Sequence, residues 1–123
     1  MTRFVDARHV LAVWDLDAST QYYTEVLGFR RDPVDAKRWS FLSRDSIKLM
    51  LGECADDVPA AEVGSHSWFV RIMVDGLDEL HRTVSSRGAD VLSPPATRDY
   101  GLREFVIRTP DGHRIMFAES VSQ

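Results

Sequence analysis

Residues 13–23 read VWDLDASTQYY and residues 74–84 read VDGLDELHRTV. Aligned without gaps, Val13 meets Val74, Leu16 meets Leu77 and Asp17 meets Asp78. Each stretch leaves a strand-like run and enters a helix-like one, so the order of elements repeats along with the identities.

Working outward from the first copy, HVLAVW alternates and carries branched residues, which reads as a strand. Asp17 is the expected N-cap, where a carboxylate accepts orphan backbone N–H groups. Ala18, Tyr22 and Val26, with Tyr23 and Leu27 beside them, give a helical apolar face, and Gly28 suits a left-handed end. Strands are expected around FRRDP, WSFLS and IKLML, the last two joined by a turn at Arg44-Asp45. From the second copy, SWFVRIMV is a strand, Leu77, Leu80 and Val84 mark a helix ending at Gly88, and ADVLS, REFVIRT and HRIMFAE are strands. Pro110-Asp111-Gly112 supplies the turn before the last of them.

The chain thus reads as α+β: two βαβββ modules, about 5–54 and about 65–120, joined by a linker at about 55–64. Within a single domain of 123 residues, two such sheets can curl into a half-open mixed barrel with helices outside and a cleft inside.

Composition narrows the function. A formal charge of −4 argues against a nucleic-acid partner. No apolar run approaches the ~20 residues that span a membrane, and MTRFVDARHV lacks a signal peptide's apolar segment. The expected location is cytoplasmic. A single cysteine, Cys54, excludes an internal disulfide and a thiolate-rich zinc site.

VWDLDASTQYYTEVLGF resembles the opening signature of the vicinal oxygen chelate superfamily, which includes glyoxalase I, extradiol dioxygenases, fosfomycin-resistance enzymes and bleomycin-resistance binding proteins. YGLREFVIRTPDGHRIMFAE resembles its closing signature, with Thr109 in place of the usual first aspartate. The resemblance runs from about Arg8 to Glu119. It implies the half-open fold and a homodimer, and it offers several chemistries.

Metal-dependent members of that superfamily place His, Gln or Glu ligands on the first and last strand of each half. Counting from Asp15, Asp75 and Gly112, and matching IKLML, those positions fall on Arg8, Phe69, Met116 and Met50. His9 lies one residue out of phase and His66 three residues early. An arginine, a phenyl ring and two thioethers do not suit a hard octahedral ion, so neither a metal nor another cofactor is expected.

Alternation assigns the cleft side of the strands to Phe69, Arg71 and Met73, to Arg114, Met116 and Ala118, and to Lys48 and Met50. Trp39 and Phe41 add an aromatic wall, and Tyr100 stands at the rim. The expected ligand-contacting residues are therefore Arg8, Trp39, Phe41, Met50, Phe69, Arg71, Met73, Tyr100 and Met116. Such a lining suits planar compounds. Arg71, if enclosed, must find anionic or carbonyl partners: Glu104 or a backbone carbonyl within the chain, or an anionic or polar ligand. His113 reads as part of the turn, His81 as a helix flank and Glu119 as a solvated strand end; no catalytic constellation emerges, GSHS included.

The reading is a metal-independent small-molecule-binding protein of the bleomycin-resistance type, sequestering an antibiotic or a planar aromatic metabolite. The alternatives are an enzyme of the same fold (a lyase, isomerase or dioxygenase-like catalyst with atypical or no metal ligands) and an interaction domain whose cleft is filled by side chains.

Overall fold

A computed structural model describes residues 1–56 and 69–121. Trp68, His66 and most of the expected linker lie outside the described residues. The chain separates into two compact units, 1–57 and 58–123.

In the first unit, strand β1 (His9–Val13) leads into helix α1 (Leu16–Glu25), followed by β2 (Arg30–Arg31), β3 (Trp39–Arg44) and β4 (Ile47–Glu53). The sheet order is β1-β4-β3-β2, with β1 parallel to β4 and the other neighbours antiparallel. The second unit repeats it: β5 (Val70–Met73), α2 (Leu77–Ser86), β6 (Asp90–Thr97), β7 (Leu102–Arg108) and β8 (Arg114–Ser120), in order β5-β8-β7-β6. The protein is α+β, built as βαβββ twice, and neither four-stranded mixed sheet closes on itself. Both helices begin at the leucine of the repeat, Leu16 and Leu77.

Each helix lies on one face of its own sheet, and strand alternation divides the side chains accordingly. In the first unit, Leu11, Val13, Leu42, Leu49 and Leu51 are buried, whereas Val10 is 61% exposed and Met50 partly so. In the second, Ile72, Ile115 and Phe117 are buried between partly or fully exposed Arg71, Met73, Arg114 and Met116. The phase read from the sequence therefore holds.

Four local expectations change. The buried face of α1 is Ser19, Thr20 and Tyr23, continued by Leu27, while Ala18 is exposed and Tyr22 and Val26 are only partly covered. Hydropathy pointed the wrong way because Thr20 and Ser40 satisfy each other, their hydroxyls 2.7 Å apart, which removes the cost of burying them. Asp15 rather than Asp17 is the N-cap, its carboxylate accepting the Ala18 N–H at 3.1 Å. The strand expected at ADVLS runs on to Thr97 through Pro94-Pro95; β6 is the sheet edge, where prolines cost no ladder bond, and its register shifts twice.

The fourth concerns Glu119. Its carboxylate accepts the N–H of Gly76 at 2.7 Å and of Leu77 at 3.2 Å, capping a helix whose own N-cap residue is a glycine. Glu53 does the same in the first unit, accepting the Leu16 N–H at 3.2 Å. Negative charge at a helix start also meets the positive end of its dipole. Glu119→Ala is expected to cost about 1–2 kcal/mol, within the range of a lost N-cap, and Glu119→Gln less. Urea melts check this; an unchanged midpoint for Glu119→Ala would remove the capping role.

Candidate functional site

Trp39, Phe41, Met50, Arg71, Met73 and Met116 stand on the helix-free sides of the two sheets, Arg8 and Phe69 just before β1 and β5, and Tyr100 in the turn between β6 and β7; each unit builds its own set. In the first, register pairs Val10 with Met50, Met50 with Phe41, and Gly52 with Trp39. Trp39, Phe41 and Met50 are each partly exposed. The Trp39 ring covers Gly52: a Cβ there would sit 2.8 Å from two ring atoms.

Arg8 precedes β1 in the same phase, and its donors are engaged. Nη1 donates to the carbonyls of Leu49 at 2.9 Å and Leu42 at 3.3 Å, and Nη2 pairs with Asp32 at 3.1 Å. Its guanidinium carbon lies 5.1 Å from the centre of the Phe41 ring. Asp32 accepts the Ser43 hydroxyl at 2.7 Å, and this bond first, then Arg8 and Arg30, holds its pKa below the usual carboxylate value against the opposing effect of burial. Arg8 therefore ties three strands together, and Phe41 is stacked on a cation that is already fixed.

In the second unit, Arg71 pairs in register with Met116, Met116 with Val106, and Val106 with Ser93. Arg71 is exposed rather than enclosed, and among the described residues no carboxylate pairs with it; Nη2 approaches the Met73 sulfur at 3.9 Å. Exposure lets water solvate the guanidinium, so the partner that enclosure would have demanded is not needed.

Glu104 has other partners. It is 3% exposed, and Oε1 accepts the Tyr100 hydroxyl at 2.6 Å and Arg98 Nε–H at 3.4 Å. The hydrogen bond to Glu104, reinforced by burial, pushes the Tyr100 pKa up, so this phenol keeps its proton. Glu104 shares its phase on β7 with Val106, and the strand is buried on both faces from Glu104 to Ile107.

Phe69 sits just before β5, its ring 5.8 Å from and nearly perpendicular to that of His113. Burial pushes the His113 pKa down, partly offset by Asp111, and its Nδ1 has no hydrogen-bond partner among the described residues. Thr109, in the place of the signature's first aspartate, accepts the His113 backbone N–H on its hydroxyl at 3.1 Å and so keeps the turn.

The four positions that the resemblance links to metal ligands thus carry a guanidinium whose nitrogens already donate, a phenyl ring and two thioethers. No oxygen or imidazole lone pair is available from them, and the set does not fit a hard divalent ion. Among the described residues no three His, Cys, Asp or Glu side chains gather as a metal site, and no helix is long and apolar enough to cross a membrane.

The sequence pattern of the Glyoxalase/Bleomycin resistance protein/Dioxygenase superfamily matches residues 7–117, and the chain belongs to that superfamily. Among solved structures it is similar to TioX from Micromonospora sp. ML1, at 24% identity and TM-score 0.72 over 97% of this chain and 98% of the other. The bleomycin-binding protein of Streptomyces verticillus, solved with copper(II)-bleomycin, shares 23% identity and TM-score 0.73 over the whole of both chains. A glyoxalase-related enzyme from Clostridium phytofermentans gives 22% and 0.78 over 98% of each. At these identities the likeness establishes the fold. No curated protein matches the chain.

Proposed function

We propose that this chain is a metal-independent small-molecule-binding protein that sequesters a planar compound, an antibiotic or an aromatic metabolite, on its helix-free sheet faces. The observation that carries the reading is their chemistry: Trp39, Phe41, Met50, Phe69, Met73 and Met116 offer flat or adaptable apolar contact, and Arg71 a cation without a carboxylate partner among the described residues. Rings stack on planar ligands, and thioethers adapt to their outlines. The similar fold of a protein solved with copper(II)-bleomycin supports the same reading. The family resemblance adds a homodimer; a monomer by light scattering at micromolar concentration overturns it.

Two measurements test the reading. Purified protein, dialysed and assayed for nickel, zinc, manganese and iron, is expected to carry far less than one equivalent of any; a stoichiometric metal overturns metal independence and favours the enzyme reading. In a thermal-shift screen of antibiotics and aromatic metabolites, a ligand at a hundred times its Kd stabilises the native state by about 2.7 kcal/mol and raises the Tm. A screen in which nothing shifts the Tm overturns the binding role.

A further inference from the structure

On the side shared by Glu104, Val106 and Met116, the second unit holds a cavity of about 190 Å³, with Leu92, Arg98 and Arg114 also in its wall. Register explains the apolar part: Met116 lies opposite Val106, and Val106 opposite Ser93, the neighbour of Leu92. The volume is below the roughly 300 Å³ at which pockets for drug-sized ligands begin. It exceeds the roughly 150 Å³ of an apolar cavity that holds benzene. One ring fits, either as a small compound or as one arm of a larger one.

The ionic side chains of the wall are already committed. Arg98 Nε–H donates to Glu104 Oε1 at 3.4 Å, and the Tyr100 hydroxyl donates to the same oxygen at 2.6 Å. Arg114 has an interaction of its own. Arg71, the cation without a carboxylate partner among the described residues, is not in the wall. A ligand anion drawn to Arg98 therefore meets the Glu104 carboxylate beside it, and a ligand cation drawn to Glu104 meets Arg98. Either charge also gives up water on entering, which is costly unless an uncommitted counter-ion replaces it. An uncharged ring loses little water and gains contact with Leu92, Val106 and a thioether that adapts to its outline.

We infer that this cavity selects an uncharged single-ring compound, or the uncharged ring of a larger one, held against Leu92, Val106 and Met116. That ligand class rests on the small-molecule-binding reading and narrows it. Selection against ions of both signs follows from the Arg98–Glu104 pair, which leaves neither charge of the wall free for a ligand.

The test uses the full chain and three probes of one shape: benzamide, the benzoate anion and the benzamidinium cation. Titrations followed by NMR are expected to show benzamide binding about tenfold or more tighter than either ion. Shifts should centre on the Val106 and Met116 methyls. Leu92 is 42% exposed and stands on the edge strand β6, where a charged side chain is tolerated. Leu92→Lys adds the uncommitted cation and should move the benzoate-to-benzamide ratio about tenfold toward benzoate; Leu92→Asp should do the same for benzamidinium. Either ion binding the wild-type protein as tightly as benzamide overturns the inference, whether or not the variants fold. So do shifts centred elsewhere, and so do folded Leu92 variants that keep the wild-type ratios. If no probe binds while a compound of the thermal-shift screen does, the ligand class falls and small-molecule binding stands. If nothing binds in either experiment, both fall.

Discussion

Phe105→Ala is expected to lower stability by about 3–5 kcal/mol, the range for truncating a fully buried phenylalanine. Phe105 has no exposed surface. Its ring stacks on Phe117 at 5.1 Å between centres, and His81 meets it at 5.2 Å, inclined by 70°. Alanine removes the contacts to both and leaves a cavity that the central strand β7, paired on either side, cannot easily collapse. Against a total stability of about 5–15 kcal/mol, this loss brings the protein near unfolding. Phe105→Leu keeps most of the volume and should lose less than half as much. Urea melts of the full chain separate the cases through the midpoint, provided the slope is unchanged. A loss below about 1 kcal/mol for Phe105→Ala, out of line with core truncations, would mean that the ring is not part of a close-packed core.

The second large effect falls on Gly52, and its sign depends on the partner. Gly52 is glycine because of a neighbour: the Trp39 ring covers the place a Cβ would take. Gly52→Ala must push that ring off the sheet or shift the strand, at a cost of about 1–3 kcal/mol. In a Trp39→Ala background the obstruction is gone. Alanine should then be neutral or stabilising by about 0.5–1 kcal/mol, the ordinary advantage over glycine within a strand. Thermal or urea melts of the two single variants and the double variant close the cycle. Additive losses would show that the ring does not rest on Gly52. Because Trp39 belongs to the proposed binding face, Gly52→Ala should also weaken any ligand that stacks on it.

Much of the fold was legible because the relevant periods are local. Alternation in IKLML, FVRIM and HRIMFAE assigned Leu49, Ile72 and Ile115 to the helix side and Met50, Arg71 and Met116 to the other, as found. The repeated leucine placed both helix starts. Where hydropathy stood in for contact, the reading slipped. Thr20 and Ser40 are polar and buried because they bond to each other, across twenty residues of chain. Asp17 is the cap that the sequence suggests, and the folded backbone gives that place to Asp15.

The candidate site was less legible. Its positions follow from strand phase, but the state of each group does not. Arg8 and Arg71 looked alike in sequence, two cations on apolar strands; one is tied to Asp32 and two carbonyls, and the other is exposed without a carboxylate partner among the described residues. Glu104 looked like a partner for Arg71 and is instead held by Tyr100 and Arg98.

Order of elements, strand phase and the unsuitability of Arg8, Met50, Phe69 and Met116 as hard-metal ligands needed nothing beyond the residues, because side-chain direction repeats every two residues and donor chemistry belongs to the side chain. Which carboxylate caps which helix, which guanidinium is already bonded and which groups hold Glu104 depended on the folded chain. Hydrogen-bond partners form at about 3 Å in space, and Glu119 reaches Gly76 across forty-three residues of sequence.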